Sequence, residues 1–204
     1  MEMTSNNSPV RNSLNWTVKA YTEGAVFVAF DLETTGLESR KDHIVEIGAV
    51  KFDRKGLIAR FSALINPGIP MPAEAERVNK ISDAMLRGKP SLDEVFPDFM
   101  LFIKDTVLAA HNAPFDCGFI NEKLKNRREG GEITLVLPLS VLPNPIADTL
   151  VFSREVFPGL KSYSLQNLAA SLGIPSLDAH RAEDDARLCM EILIRCLNRH
   201  IESK

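Results

Sequence analysis

The sequence predicts one α/β domain built on a mixed sheet. Apolar stretches of strand character follow one another closely between residues 26 and 65. From residue 72 onward helix-period stretches take over and alternate with a short apolar run at 106–110. No repeat, low-complexity block or second composition regime interrupts the chain, so its 204 residues, 45% hydrophobic and 25% charged, suit a single core.

The first strand is Val26-Phe-Val-Ala-Phe-Asp-Leu-Glu-Thr-Thr-Gly36, an apolar run that ends on two carboxylates. A polar turn, Glu38 to Asp42, leads to a second strand, Ile44 to Phe52, interrupted by Glu46, which suits either a buried acid or a solvent-facing position. Asp53-Arg-Lys-Gly56 reads as a hairpin turn and Leu57 to Ile65 as a third strand, ended by Asn66-Pro-Gly68, giving an antiparallel meander. Pro72 suits the first turn of a helix and Ser82 the cap of another, and Ser91-Leu-Asp-Glu94 has capping-box spacing before an amphipathic run to Lys104. Pro97 inside that run predicts a kink or a late start. Thr106 to Ala110 is a fourth strand, running into His111-Asn-Ala-Pro-Phe-Asp-Cys117 and a helix to about Arg128. Gly130 to Pro145 is an irregular connection with a short strand candidate at Thr134 to Leu137. A helix to Phe157 stops at Pro158-Gly159, a Ser164-capped helix reaches Leu172, and Ala179 to Glu202 forms one long amphipathic helix with Leu188, Ile192 and Cys196 on its apolar face. Residues 1–24 read as a partly disordered tail, its last part packing on a domain that spans 25–204.

Charge and cysteine usage exclude several classes of function. A net charge of −3 disfavours a broad basic grip on long nucleic acid but leaves a short contact open. Lys123, Lys125, Arg127 and Arg128, the local basic run, read as a solvated helix end favoured by the helix dipole. Cys117, Cys189 and Cys196 lack disulfide or zinc spacing and read as small buried hydrophobes. The polar N-terminus lacks the apolar core of a signal peptide, so the expected location is the cytoplasm.

Acids stand where apolar residues or plain turns are expected: Asp31 with Glu33, Asp116 after the fourth strand, and Asp184-Asp185 beside His180. In a strand, residues two apart share a face at roughly 7 Å, so Asp31 and Glu33 converge; strand-end acids reaching solvent would show the same pattern. Together with Asp116 and Asp185 they describe a site for two hard divalent cations, for which carboxylates supply oxygen ligands and charge. His180 fits the role of a base that takes a proton from water. Residues five apart sit about 140° apart on a helix, so His180 and Asp185 serve together only if His180 precedes the helix. Asp184, about 100° away from Asp185, is expected to face solvent.

Phe30-Asp-Leu-Glu-Thr-Thr-Gly36, His111-Asn-Ala-Pro-Phe-Asp116 and His180-Arg-Ala-Glu-Asp-Asp185 resemble the three motifs of the histidine-bearing branch of the DEDD exonuclease superfamily, and most of all the epsilon-type proofreading subunits of bacterial DNA polymerase III. The likeness runs from Val26 to Ile201 and includes His43 to Val50, Ile81 to Leu86, Asp148-Thr-Leu150 and Phe157-Pro-Gly159. It implies a ribonuclease H-like fold, a mixed five-stranded sheet flanked by helices, and removal of 5′-mononucleotides from the 3′ end of single-stranded DNA with two Mg2+ or Mn2+ ions. By the same resemblance Asp31, Glu33, Asp116 and Asp185 hold the ions, Asp31 bridging them, and His180 is the general base. Thr34, Thr35, Gly36, Leu37, Asn112 and Phe115 would meet the terminal nucleotide, and Asp148 would be structural support.

Two departures qualify the resemblance. Asn79-Lys80 replaces the His-Gly pair common before Ile81, and no polymerase-binding extension is expected after Lys204, so a stand-alone repair exonuclease is expected as readily as a proofreading subunit with a polymerase partner. An exoribonuclease resembling ribonuclease T or oligoribonuclease is an alternative, although Thr34 stands where the oligoribonuclease-like branch usually carries Met. A non-catalytic polymerase-docking module is another, and the intact acids count against it.

Overall fold

A computed structural model of the chain describes residues 13–129, 141–177 and 181–204, residues 127–129 by their backbone alone. Ser13 opens the first helix, α1 (Leu14–Thr22), by accepting the Trp16 N–H, and Leu14, Thr17 and Tyr21 turn inward. The segment expected to pack on the domain therefore does so as a helix, while residues 1–12 lie outside the described residues.

The meander follows as β1 (Phe27–Thr34), β2 (Ile44–Asp53) and β3 (Gly56–Leu64), antiparallel throughout. Asp53 Oδ1 accepts the N–H groups of Lys55 and Gly56, and Gly56, at φ 131°, takes a turn conformation that side chains disfavour. Three helices come next: α2 (Ala73–Asn79), α3 (Asp83–Leu86) and α4 (Leu92–Phe102). The capping box at Ser91 and Glu94 starts α4 at Leu92, so Pro97 lies in the helix interior and causes no late start. Then come β4 (Val107–Ala110), α5 (Pro114–Glu129), β5 (Ile146–Asp148), α6 (Thr149–Val156), α7 (Leu165–Ser171) and α8 (Ala182–Glu202). The strand candidate at Thr134 to Leu137 lies outside the described residues, and the fifth strand of the sheet is Ile146–Asp148. Asp148 ends it and caps α6 by accepting the N–H groups of Leu150 and Val151.

The sheet order is β3-β2-β1-β4-β5, with β4 parallel to both β1 and β5. Alternation along β1 divides the core. Val28, Phe30 and Leu32 pack with Phe96, Phe99 and Ile120 of α4 and α5. Phe27 and Ala29 face the other way, onto Leu14 and Tyr21 of α1, Phe152 of α6 and the Leu188, Ile192 and Cys196 stripe of α8. Cys117, Cys189 and Cys196 are buried in the core. Among the described residues no helix is long and apolar enough to cross a membrane.

Candidate active site

Asp31 and Glu33 continue the face of β1 that Phe27 and Ala29 occupy, so the strand that buries apolar side chains under α8 ends by presenting two carboxylates beside the start of that helix. Asp185 lies in the first turn of α8, buried with Ala182 and Ala186. An oxygen from each of Asp31, Glu33 and Asp185 lies within 4.8 Å of the others. Asp116, in the first turn of α5, is 3% exposed and accepts the Leu32 N–H at 3.1 Å, which ties it to β1 between the two strand acids.

Crowding and burial act on Asp31 and Glu33 in the same direction. Burial above all, then the charges of Asp116, Asp185, Glu33 and Glu46, raises the Asp31 pKa well above the carboxylate range. Glu33 is pushed to about 8 by burial and by the charges of Asp185, Glu46 and Asp116, with Arg181 opposing. Asp116 also rises to about 8, chiefly through burial, against the lowering effect of its own backbone hydrogen bond and that of Leu32. Buried hard-oxygen donors that repel one another fit a divalent cation, which supplies the missing positive charge. Asp116 and Asp185 both sit where a helix N-terminus favours negative charge.

The structure decides the open question of Glu46 and corrects the reading of Asp184. Glu46 is 1% exposed and accepts from Arg181 Nη2 at 2.6 Å, from Arg181 Nε at 3.2 Å and from the Ala182 N–H at 3.1 Å. Asp184 was expected to face solvent, yet it is buried at 8% exposure. It pairs with Arg187 at 2.8 Å and accepts the Leu177 N–H at 2.8 Å and the Ser176 hydroxyl at 3.2 Å. A helical wheel misses this because the chain preceding α8 folds over the side on which Asp184 stands. Gln166 of α7, which no sequence pattern marks, donates its amide to Asp185 Oδ1 at 2.5 Å. His180 lies outside the described residues; α8 begins at Ala182 with Arg181 as its N-cap, so position 180 precedes the helix in the chain.

The turn after β1 is tightly built. Thr34 and Thr35 are buried; the Thr34 hydroxyl donates to the Gly36 carbonyl at 2.6 Å, and the Thr35 hydroxyl accepts the His43 N–H at 2.9 Å. A Cβ on Gly36 would stand 2.4 Å from Asp42 Oδ2 and would push aside the carboxylate that accepts the Glu38 N–H. Leu37 is 82% exposed beyond the turn. Asn79 is buried and holds the Thr34 carbonyl through its amide at 3.3 Å while accepting the Ile81 N–H at 3.0 Å. Asn112 is exposed in the left-handed region at φ 68°, and Phe115 packs half-buried on Phe119, ring centres 5.2 Å apart. Lys123 pairs with Asp93 at 2.5 Å, so that part of the basic run is occupied.

Residues 28–193 match the RNase T family model, described as an exonuclease. The chain belongs to this exonuclease family. It is 48% identical over 185 residues to the DNA polymerase III subunit epsilon of Treponema pallidum (strain Nichols), a likeness covering 90% of this chain and 81% of that protein. It is 41% identical over 167 residues to the PolC-type DNA polymerase III of Clostridium perfringens (strain 13 / Type A), of which it covers only 11% of the length against 82% of its own. Among solved structures, exonuclease X in complex with 5′ overhanging duplex DNA superposes with a TM-score of 0.63 at 28% identity, covering 84% of this chain and 91% of that one. The exonuclease is thus a hydrolase of the 3′–5′ class with the ribonuclease H-like fold of the DEDD group, whose members depend on divalent metal.

Proposed function

We propose that this exonuclease binds two divalent cations, Mg2+ or Mn2+, on Asp31, Glu33, Asp116 and Asp185, and releases 5′-mononucleotides from the 3′ end of single-stranded DNA. The observation that carries the proposal is the convergence of Asp31, Glu33 and Asp185 oxygens within 4.8 Å, with Asp116 fastened to the backbone between the strand acids. Bound ions supply charge to the attacking and leaving oxygens of the phosphodiester. Asp31, whose carboxyl feels Asp116, Asp185 and Glu33 together, would by the family resemblance be the acid shared by both ions. His180 takes the proton of the attacking water. Thr34, Thr35, Gly36 and Leu37 form the turn against the last nucleotide, the two threonines shaping it from within and Leu37 offering an apolar surface; Asn112 and Phe115 line the other side.

The domain carrying this activity is 25–204, and its work is proofreading with a DNA polymerase partner in the cytoplasm, a reading supported by the epsilon relative and by the PolC-type polymerase that contains a similar segment. The test is incubation with Mg2+ and matched 5′-labelled DNA and RNA strands, free or blocked at the 3′ end. Stepwise shortening of free DNA, stopped by chelator and by Asp31→Ala, supports the proposal. Shortening that persists in chelator, or in Asp31→Ala, overturns the cation site; preference for RNA overturns the substrate.

A further inference from the structure

We propose that Glu46 is a positioning residue that fixes the first turn of α8, and with it Asp185, against the sheet. In the β1–β2 register Glu46 pairs with Glu33, and Gly48 pairs with Asp31. Glu46 therefore sits beside one strand acid, in a place where a carboxylate repels both: its charge adds to the proton affinity of Asp31 and of Glu33. An apolar side chain would avoid that repulsion, so what Glu46 contributes must lie in its contacts. Those contacts all lie at the start of α8. The N-cap, Arg181, makes no side-chain cap hydrogen bond to the helix, and Glu46 takes over the capping role from another strand by accepting the Ala182 N–H at 3.1 Å. The same carboxylate grips the Arg181 guanidinium through Nε and Nη2, a planar two-point contact that fixes direction as well as distance.

Gly48 completes the dock. A Cβ there would lie 2.0 Å from the Ala182 carbonyl carbon and 2.2 Å from the Glu183 nitrogen, so the helix backbone rests directly on β2. The Asp185 N–H donates to the Arg181 carbonyl at 3.0 Å, which carries the placement of Arg181 into the turn that bears the site acid. Partners that orient metal-holding carboxylates are worth about 10–100-fold in metal affinity or activity.

The catalytic consequence rests on the cation reading above; the structural one does not. Glu46→Gln keeps the side-chain shape and removes the charge that holds Arg181, and Glu46→Asp keeps the charge but is short by one methylene. In the full chain, Glu46→Gln is expected to speed amide exchange at Ala182, Asp185 and Ala186 by at least about tenfold, and to weaken Mn2+ binding measured by calorimetry by about 10–100-fold. The turnover number falls with it while KM for the oligonucleotide stays within about threefold, because the substrate turn is untouched. Glu46→Asp moves the same readouts in the same direction, which a purely electrostatic role would not produce. Met100→Ala, in the core on the opposite face of the sheet, lowers Tm without changing exchange at α8 or Mn2+ binding. Unchanged exchange at the start of α8 in both Glu46 variants overturns the proposal. If the wild-type chain binds no Mn2+ and shortens no strand, the cation reading falls, and the exchange comparison alone decides the positioning role.

Discussion

Replacing Glu33 by Gln separates what the acid cluster does for chemistry from what it does to the fold. Without metal, burial and then the neighbouring charges of Asp185, Glu46 and Asp116 raise the Glu33 pKa from 4.5 to about 8. The folded chain therefore keeps a proton that the unfolded chain releases near its ordinary pKa. The stabilisation from that proton is fully present below about pH 4.5 and is lost as pH rises through about 8. At about 1.4 kcal/mol per tenfold change in proton affinity, the ceiling for this loss is about 5 kcal/mol. Glu33 competes with Asp31 and Asp116 for the protons of one cluster, so the share recovered by neutralising Glu33 alone is about 2 kcal/mol. For a chain of this size that corresponds to about 4–8 °C in Tm. Thermal unfolding in chelator at pH 8.5 should show Glu33→Gln melting higher than the wild type by this margin, and the gap should close by pH 4.5. Saturating Mg2+ should raise the wild type and leave the variant nearly unchanged, while the variant degrades no DNA. A Glu33→Gln protein no more stable than wild type at pH 8.5 in chelator would refute the picture of mutually repelling buried carboxylates.

His180→Ala should lose about 10²–10⁴-fold in turnover yet bind Mn2+ normally, with partial recovery at high pH as hydroxide replaces the missing base; a wild-type rate would remove its role. Gly48→Ala places a methyl into the Ala182–Glu183 backbone and should cost about 1–3 kcal/mol while reducing activity more than a core variant of equal Tm, measured by parallel melting and DNA-shortening assays. Gln166→Leu removes the amide held against Asp185 and should weaken Mn2+ binding about tenfold with little change in Tm, since Gln166 is only half-buried; an unchanged isotherm would show that Asp185 needs no such partner.

What was legible in the chain was what local chemistry dictates. The meander, the capping box at Ser91 and the apolar stripe of α8 follow from alternation, capping and helical period, each readable within a short window. β5 escaped because its three residues are too few to show a period, and its place in the sheet is earned by pairing with β4. Asp184 and Gln166 escaped for a different reason: their roles are defined by partners on other segments, the chain at Ser176–Leu177 and the carboxylate of Asp185. Glu46 stood between. An acid inside an apolar strand flags itself, but whether it is paired depends on Arg181, 135 residues away.

The same contrast explains how a cluster of like charges holds together in a folded chain. Asp31 and Glu33 are fixed by β1, where Gly48 and Glu46 of β2 pair opposite them, so their spacing cannot relax without breaking that pairing. Asp116 and Asp185 are delivered by helix first turns, where the dipole offsets part of the repulsion; Asp116 is also bonded directly to the Leu32 N–H of β1. The start of α8, which carries Asp185, is held against the sheet by contacts from β2. The Glu46–Arg181 contact and the close seat at Gly48 are those contacts. On the cation reading proposed above, a cation that relieved the charge of these acids would stabilise the fold on binding.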